Sequence, residues 1–242
     1  MTAQPKARRA EVHPSALRQQ VFGIPVAALI LFLVFADLML AFPHIDLLIS
    51  AMFYTPGSGF ESLGRWWERS VYHSVEVFMV AVNVALIGLW LVKRITGQAT
   101  LGFTGRKLLF LLCLLALLPG LVVNQVLKEN WGRVRPINVI EFGGTLRFTP
   151  PFVVSDQGGG SFSSGHAAAA FYLVAVAALL FGSKSRWVLV AILYAGLVGL
   201  ARMAAGGHYF SDVVTSAFLL LFGYMLLHRL FFGTQGDAAA PA

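Results

Sequence analysis

Long apolar runs separated by short polar segments repeat along nearly all of this chain. Six of them, at 21–42, 75–92, 108–127, 167–181, 187–205 and 213–232, come close to the roughly 20 apolar residues that a helix needs to cross a bilayer core. They predict six helices. The run at 167–181 is short and rich in alanine. Pro25 sits in the first turn of its predicted helix, where a missing N–H costs little, whereas Pro119 is internal and predicts a kink in the third.

Composition agrees with the pattern. Of 242 residues, 57% are hydrophobic and only 12% are charged, and the mean hydropathy of +0.75 lies far outside the range of a soluble globular domain. Lipid is the solvent of this chain. No Pro/Ser-rich linker divides the runs, so residues 1–242 read as a single all-α integral membrane domain, a six-transmembrane-helix bundle. Residues 1–20 form a polar, basic N-terminal segment and 233–242 a flexible C-terminal tail. The first run lacks a small-residue cleavage site at its end, which predicts a retained span rather than a removed signal peptide.

The net charge of +7 comes from basic residues scattered between apolar runs, without a stripe of interleaved aromatics. That pattern excludes nucleic acid as a partner and points to the bilayer and its anionic headgroups. No obligate protein partner is evident. The single cysteine, Cys113, lies inside an apolar run, so there is no intrachain disulfide and no thiolate metal cluster.

The basic residues also orient the bundle. Lys6, Arg8, Arg9, Arg18, Lys93, Arg94, Arg106, Lys107, Lys184, Arg186 and Arg229 lie on one side. The smaller set, Arg65, Arg69, Lys128, Arg133, Arg135, Arg147 and Arg202, lies on the other. The positive-inside rule puts both termini in the cytoplasm and segments 43–74, 128–166 and 202–212 outside.

Those outward segments hold the rare polar groups. Lys128 stands seven residues before the Arg135-Pro136 pair, and a guanidinium fork matches two phosphate oxygens. Ser163-Ser164-Gly165-His166 immediately precedes the fourth span, where Gly165 permits close backbone approach and helix-terminal amides attract an anion. Arg202, His208 and Asp212 follow at intervals of six and four. If the sixth helix begins near His208, Asp212 shares its face and can hold the imidazole N–H, leaving the other ring nitrogen free to attack.

Together these segments resemble the type 2 phosphatidic acid phosphatases, a superfamily that also contains the vanadium haloperoxidases. Its three signatures, K-x6-R-P, P-S-G-H and S-R-x5-H-x3-D, occur here in order as KENWGRVRP, SSGH and ARMAAGGHYFSD. Ser163 replaces the usual proline and Ala201 the usual serine, and neither change removes a titrating group.

The resemblance implies that His208 attacks phosphorus to form a phosphohistidine, that Asp212 orients it, and that His166 protonates the leaving group and then activates water. Lys128, Arg135, Arg202, Ser164 and the Gly165 amide would grip the equatorial phosphate oxygens. Fixed cations then serve where other phosphoryl-transfer enzymes use Mg²⁺, so the expected cofactor is none. The implied activity is a lipid phosphate hydrolase in a bacterial inner membrane, its site on the periplasmic side. Candidate substrates are lipid A, undecaprenyl pyrophosphate, phosphatidylglycerol phosphate and phosphatidic acid, with the long 141–160 loop favouring a large headgroup such as that of lipid A. A phosphotransferase using the same phosphohistidine and a non-enzymatic lipid transporter are the alternatives. A haloperoxidase is disfavoured by the six apolar spans.

Three features lie outside the motifs. Phe60, Leu63, Trp66 and Trp67 share a helical face beside Arg65, Glu68 and Arg69, predicting an interfacial helix in the headgroup layer. Asp37, inside the first span, is expected to pair with Asn83, Asn124 or another polar group in the bundle. In and beside the Gly- and Pro-rich 141–160 loop, Arg147 and Arg133 are expected to touch further anionic groups of the substrate.

Overall fold

A computed structural model describes residues 19–233. Lys6, Arg8, Arg9, Arg18 and nearly all of the segments assigned to 1–20 and 233–242 lie outside the described residues. Seven helices make up the frame: α1 (Val26–Ala41), α2 (His44–Ala51), α3 (Trp66–Thr96), α4 (Gly105–Asn130), α5 (Gly165–Phe181), α6 (Arg186–Ala204) and α7 (Phe210–Phe232).

Four of these, α3, α4, α6 and α7, are long and apolar enough to cross a membrane. The first predicted span starts later than expected, its helix covering 26–41. Gln20–Val21 pairs with Ile24–Pro25 in a small hairpin, so Pro25 stands before α1 instead of within its first turn. At the other end Pro43 follows α1, and α2 departs at 83° to it. A proline cannot supply the amide that would carry the helix on, and the turned half-helix α2 points into the bundle.

Helix α5 has 17 residues and is the most enclosed element. Ala167, Ala168, Ala170 and Ala175 are buried, and α3, α4, α6 and α7 all pack against it. Small side chains let neighbouring backbones approach closely where no hydrophobic effect drives helices together. Tyr172 on α5 donates to Asn83 Oδ1 on α3 at 3.1 Å.

Pro119 takes effect as a widened helix rather than a simple kink: α4 is π-helical over Ala116–Leu127. The missing Pro119 N–H breaks the i→i−4 ladder, and the Asn124 side chain donates to Pro119 O at 2.8 Å inside that stretch. Asp37 is exposed on the outer side of α1 and does not make the expected contact with either asparagine. Asn83 and Asn124 are committed elsewhere, and α1 lies against the rim of the bundle through Phe32 and Phe35, which meet Phe152 and Phe218.

The predicted interfacial helix at 60–69 is also absent. Tyr54–Thr55 and Gly59–Phe60 form a hairpin, with Gly57, Gly59 and Gly64 at positive φ, a conformation that ends helices. Phe60 turns inward onto Tyr54 and Phe142, in a space that a side chain at Gly206 would fill. Trp66 and Trp67 open α3, whose 31 residues span about 46 Å, well beyond a bilayer core of about 30 Å. Its first turns therefore reach past the apolar layer to the end of the bundle where the motif residues gather.

Candidate active site

Three helix ends meet at that place: the start of α5, the end of α6 and the start of α7. Between α6 and α7 the chain turns sharply, with the amides of Gly207 and His208 both donating to Arg202 O at 2.9 and 3.3 Å. Gly207 lies against the Arg202 side chain, where a Cβ would collide. The turn buries His208, leaving 4% exposed.

The segment Trp131–Arg135 and the returning stretch at 155–161 run side by side. Ser155 N donates to Trp131 O, Gly159 N to Gly132 O and Ser161 N to Arg133 O, all at 2.9–3.0 Å. Gly159 has no room for a side chain there. Gly160 sits beside Lys128 and the Arg135 guanidinium, so this pairing brings both cations to one point. Gln157 ties the loop internally through Arg147 N, Arg147 O and Thr149 Oγ1.

The His208 ring is held differently from the expectation. Its Nδ1 lies 2.7 Å from Ser161 O, and a carbonyl can only accept, so Nδ1 carries the proton and Nε2 keeps its lone pair. Asp212 Oδ2 stands 3.7 Å from Nδ1, a charge contact beyond hydrogen-bond range. Asp212 is engaged by other donors: Tyr209 N (2.9 Å) and Ser161 Oγ (2.6 Å) on Oδ2, Arg133 (2.5 Å) on Oδ1. Ser161 thus bridges the pair, its carbonyl to the imidazole and its hydroxyl to the carboxylate. Burial pushes the proton affinity of His208 below the ordinary imidazole range. Asp212 opposes that shift, and Arg202 and Arg135 add to it.

His166 occupies the first turn of α5, with Ser164 as N-cap accepting from Ala167 N at 3.3 Å. Arg202, His208, Lys128 and Arg135 all lie near enough for their charges to act on it. The Tyr72 ring faces His166 at 4.1 Å between centroids and lies 4.8 Å from the Arg202 guanidinium. Arg202 also donates to Glu68 at 3.0 Å, while its buried Nε has no partner among the described residues. A guanidinium fixed on one edge and unsatisfied on another is a ready donor for an anion. A cavity of about 380 Å³ leads from His166, Gly165 and Lys128 along Asn124, Glu76, Met79 and Val80, between α3 and the π-helical part of α4.

Lys128, Arg135, His166, Arg202, His208 and Asp212 therefore converge, with Ser164 and Gly165 at the helix start beside them. Among the described residues Lys128 and Arg135 form no salt bridge, so the site carries surplus positive charge suited to phosphate. Arg147 is exposed. Arg133, expected to reach an anionic headgroup, is instead fully buried, its guanidinium on Asp46 (2.7 Å), Asp212 and Ser211. Two interior carboxylates compete for it, and no solvent path is left.

Asp46, Glu68, Tyr72 and Ser161 escape a reading by motif. Asp46 and Glu68 are carboxylates next to long apolar runs, a costly placement that signals a partner, but neither partner is near in sequence.

A family model described as the PAP2 superfamily matches residues 107–234. The Lipid A 4'-phosphatase of Francisella tularensis subsp. novicida (strain U112) is 32% identical over 208 residues, covering 80% of this chain and 89% of that protein. Proteins of the same name from Rhizobium leguminosarum and Rhizobium etli (strain ATCC 51251 / DSM 11541 / JCM 21823 / NBRC 15573 / CFN 42) are 33% and 34% identical. Each match covers 72% of this chain, with 82% and 74% of the respective relatives. No solved structure matches the chain. The converging motif residues, the apolar helices and these relatives agree: the chain belongs to the PAP2 superfamily, in its branch of bacterial membrane lipid phosphatases.

Proposed function

We propose that this protein removes a phosphate from lipid A, without a metal, by way of a phosphohistidine on His208. The observation that carries the reading is the His208 ring: Nδ1–H is spent on Ser161 O, which leaves Nε2 as a nucleophile beside three cations. Lys128, Arg135 and Arg202 hold the phosphate oxygens, with Ser164 and the Gly165 amide at the start of α5. His166 gives its proton to the leaving oxygen and then takes one from water. The lipid A relatives support the substrate, as does the length of the 141–160 loop.

Six crossings are proposed, counting α5 and the α1–α2 pair with the four long helices, and both termini on the cytoplasmic side of the inner membrane. Lys93, Arg94, Lys107, Lys184, Arg186 and Arg229 stand at helix ends opposite the site, and this asymmetry supports a site at the periplasmic face.

The deciding experiment measures inorganic phosphate released from micelles of lipid A, undecaprenyl pyrophosphate, phosphatidylglycerol phosphate and phosphatidic acid, each alone. The expected result is fastest release from lipid A, undiminished by EDTA. Restoration of an EDTA-silenced enzyme by Mg²⁺ would overturn the metal-free mechanism. A requirement for a second lipid as acceptor would make the protein a phosphotransferase.

Attack requires neutral His208, whose proton affinity is lowered from an ordinary value of 6.5. Protonation of His208 is therefore expected to cause no fall in release as pH is lowered to about 6.5, and a decline only below it, where the buried ring finally protonates. A pH–rate profile already falling between pH 7 and 6.5 in proportion to His208 protonation would contradict the lowered affinity.

A further inference from the structure

We propose that Asp46 and Arg133 are positioning residues of this reaction: with Asp212 they form a buried charge clamp that leaves one carboxylate uncompensated until His208 becomes cationic. The inference rests on the reading of His208 as the nucleophile.

The clamp joins three elements. Asp46 comes from α2, Arg133 from the segment after α4 and Asp212 from α7, and all three side chains are fully buried. Asp46 accepts from Arg133 at 2.7 Å, from the Ser211 amide at 2.9 Å and from the Ser211 hydroxyl. The guanidinium and the amide can only donate, so Asp46 serves as acceptor to both. The Ser211 amide belongs to the first turn of α7, which has no partner inside its own helix, so α2 caps the helix that bears Asp212. Arg133 is further held by Thr149 O at 3.0 Å and by the Tyr209 ring at 4.2 Å. Burial opposes its charge, and Asp212 and Asp46 overcome that, holding its proton affinity above the ordinary guanidinium value.

Two carboxylates thus share one guanidinium. In the first half-reaction the Nε2 lone pair forms the N–P bond while the P–O bond breaks, and its electron pair leaves on the lipid oxygen, which takes the His166 proton. The ring keeps Nδ1–H and gains a full positive charge, 3.7 Å from Asp212 Oδ2. A surplus carboxylate fixed in a dry interior stabilises that charge without reorganisation. Because the charge exists only after attack begins, the benefit falls on kcat and not on substrate binding.

Other charges face these groups. Arg202 of α6 and Arg135 act on His208, and His208 in turn acts on His166 of α5. Glu68 of α3 holds Arg202, and Glu141 acts on Tyr209. None of them is altered by the variants below.

The test is the pH–rate profile of phosphate release from lipid A micelles, or from phosphatidic acid micelles if wild type does not turn over lipid A. In Asp46→Asn the guanidinium is left to Asp212 alone. The expected result is a fall in kcat of about 10- to 100-fold, KM within about threefold, and an acid limb moved to lower pH. Adding Arg133→Gln restores a single uncompensated carboxylate and is expected to return the acid limb to its wild-type position. A purely structural joint predicts a double variant at least as impaired and no movement of the limb in either. Where Asp46→Asn does not fold, Asp46→Ser makes the same charge change and keeps an acceptor for the Ser211 amide. A limb that stays put or moves upward in the single variant, or fails to return in the double, overturns the proposal. Activity surviving His208→Ala would instead sink the nucleophile, whereas loss there with an unmoved Asp46→Asn limb sinks the clamp alone.

Discussion

His208→Ala is expected to reduce phosphate release by at least about a thousandfold, because it removes the imidazole proposed to form the covalent intermediate. The fold should survive. The ring sits in a turn between α6 and α7, not in a helix–helix contact, and its own hydrogen bond is to Ser161 O, a loss of about 1 kcal/mol. Helical circular dichroism and thermal unfolding in detergent should therefore stay near wild type while activity disappears. A binding-only protein whose basic cavity merely holds headgroups predicts the reverse, with lipid handling intact and no phosphate released even by wild type. A rate within tenfold of wild type in a folded His208→Ala protein would rule out the phosphohistidine route.

The second large effect is on stability. Arg133→Ala removes the shared partner of Asp46 and Asp212 and leaves two carboxylates in the interior, with an expected cost of about 3–5 kcal/mol. Thermal unfolding in detergent should show a large drop, and less protein should accumulate in the membrane. Combining it with Asp46→Asn removes one of the stranded charges and should recover part of the loss. Arg147→Ala provides the contrast: its side chain is exposed, so it should melt like wild type. Equal melting of Arg133→Ala and wild type would mean that water reaches the clamp.

Most of the residues that converge at the candidate site were legible because they cluster at three short stretches with fixed spacing. Lys128 and Arg135, Ser164 to His166, and Arg202 to Asp212 each flank a helix end, and helix ends on one side of a bundle must lie near one another. What escaped are contacts between stretches distant in sequence. Glu68 meets Arg202 across 134 positions, and Asp46 meets Ser211 across 165. No periodicity or spacing encodes such a pair. The assignment of Arg133 failed for a related reason: beside Arg135 in sequence the two look equivalent, and only packing sends Arg133 inward to the carboxylates and leaves Arg135 near Lys128.

The break after α1 divides in the same way. The first span was expected to end at residue 42, and α1 ends at Ala41, but the direction taken by α2 was not legible, because a proline ends a helix without dictating the next direction. The direction is set by the docking of Asp46 on Arg133 and on the free amide at the start of α7. Likewise the aromatic spacing at 60–67 fits a helix face, yet Phe60 is drawn inward onto Tyr54 and Phe142 because Gly206 leaves room for its ring.

By itself, then, the amino-acid sequence determined what local chemistry can dictate: apolar helices of membrane length, their boundaries within a few residues for the later spans, and clusters of residue types suited to phosphate. Those follow from the cost of exposing backbone and charge to lipid, which acts on every stretch independently. Only the tertiary structure decided how His208 is held. Asp212 is four residues from His208 and lies on the same side, but its oxygens are claimed by Arg133, Ser161 and Tyr209, so the imidazole proton goes to the Ser161 carbonyl. That choice is a competition among donors and acceptors brought together by three separate segments, and it exists only once they are packed.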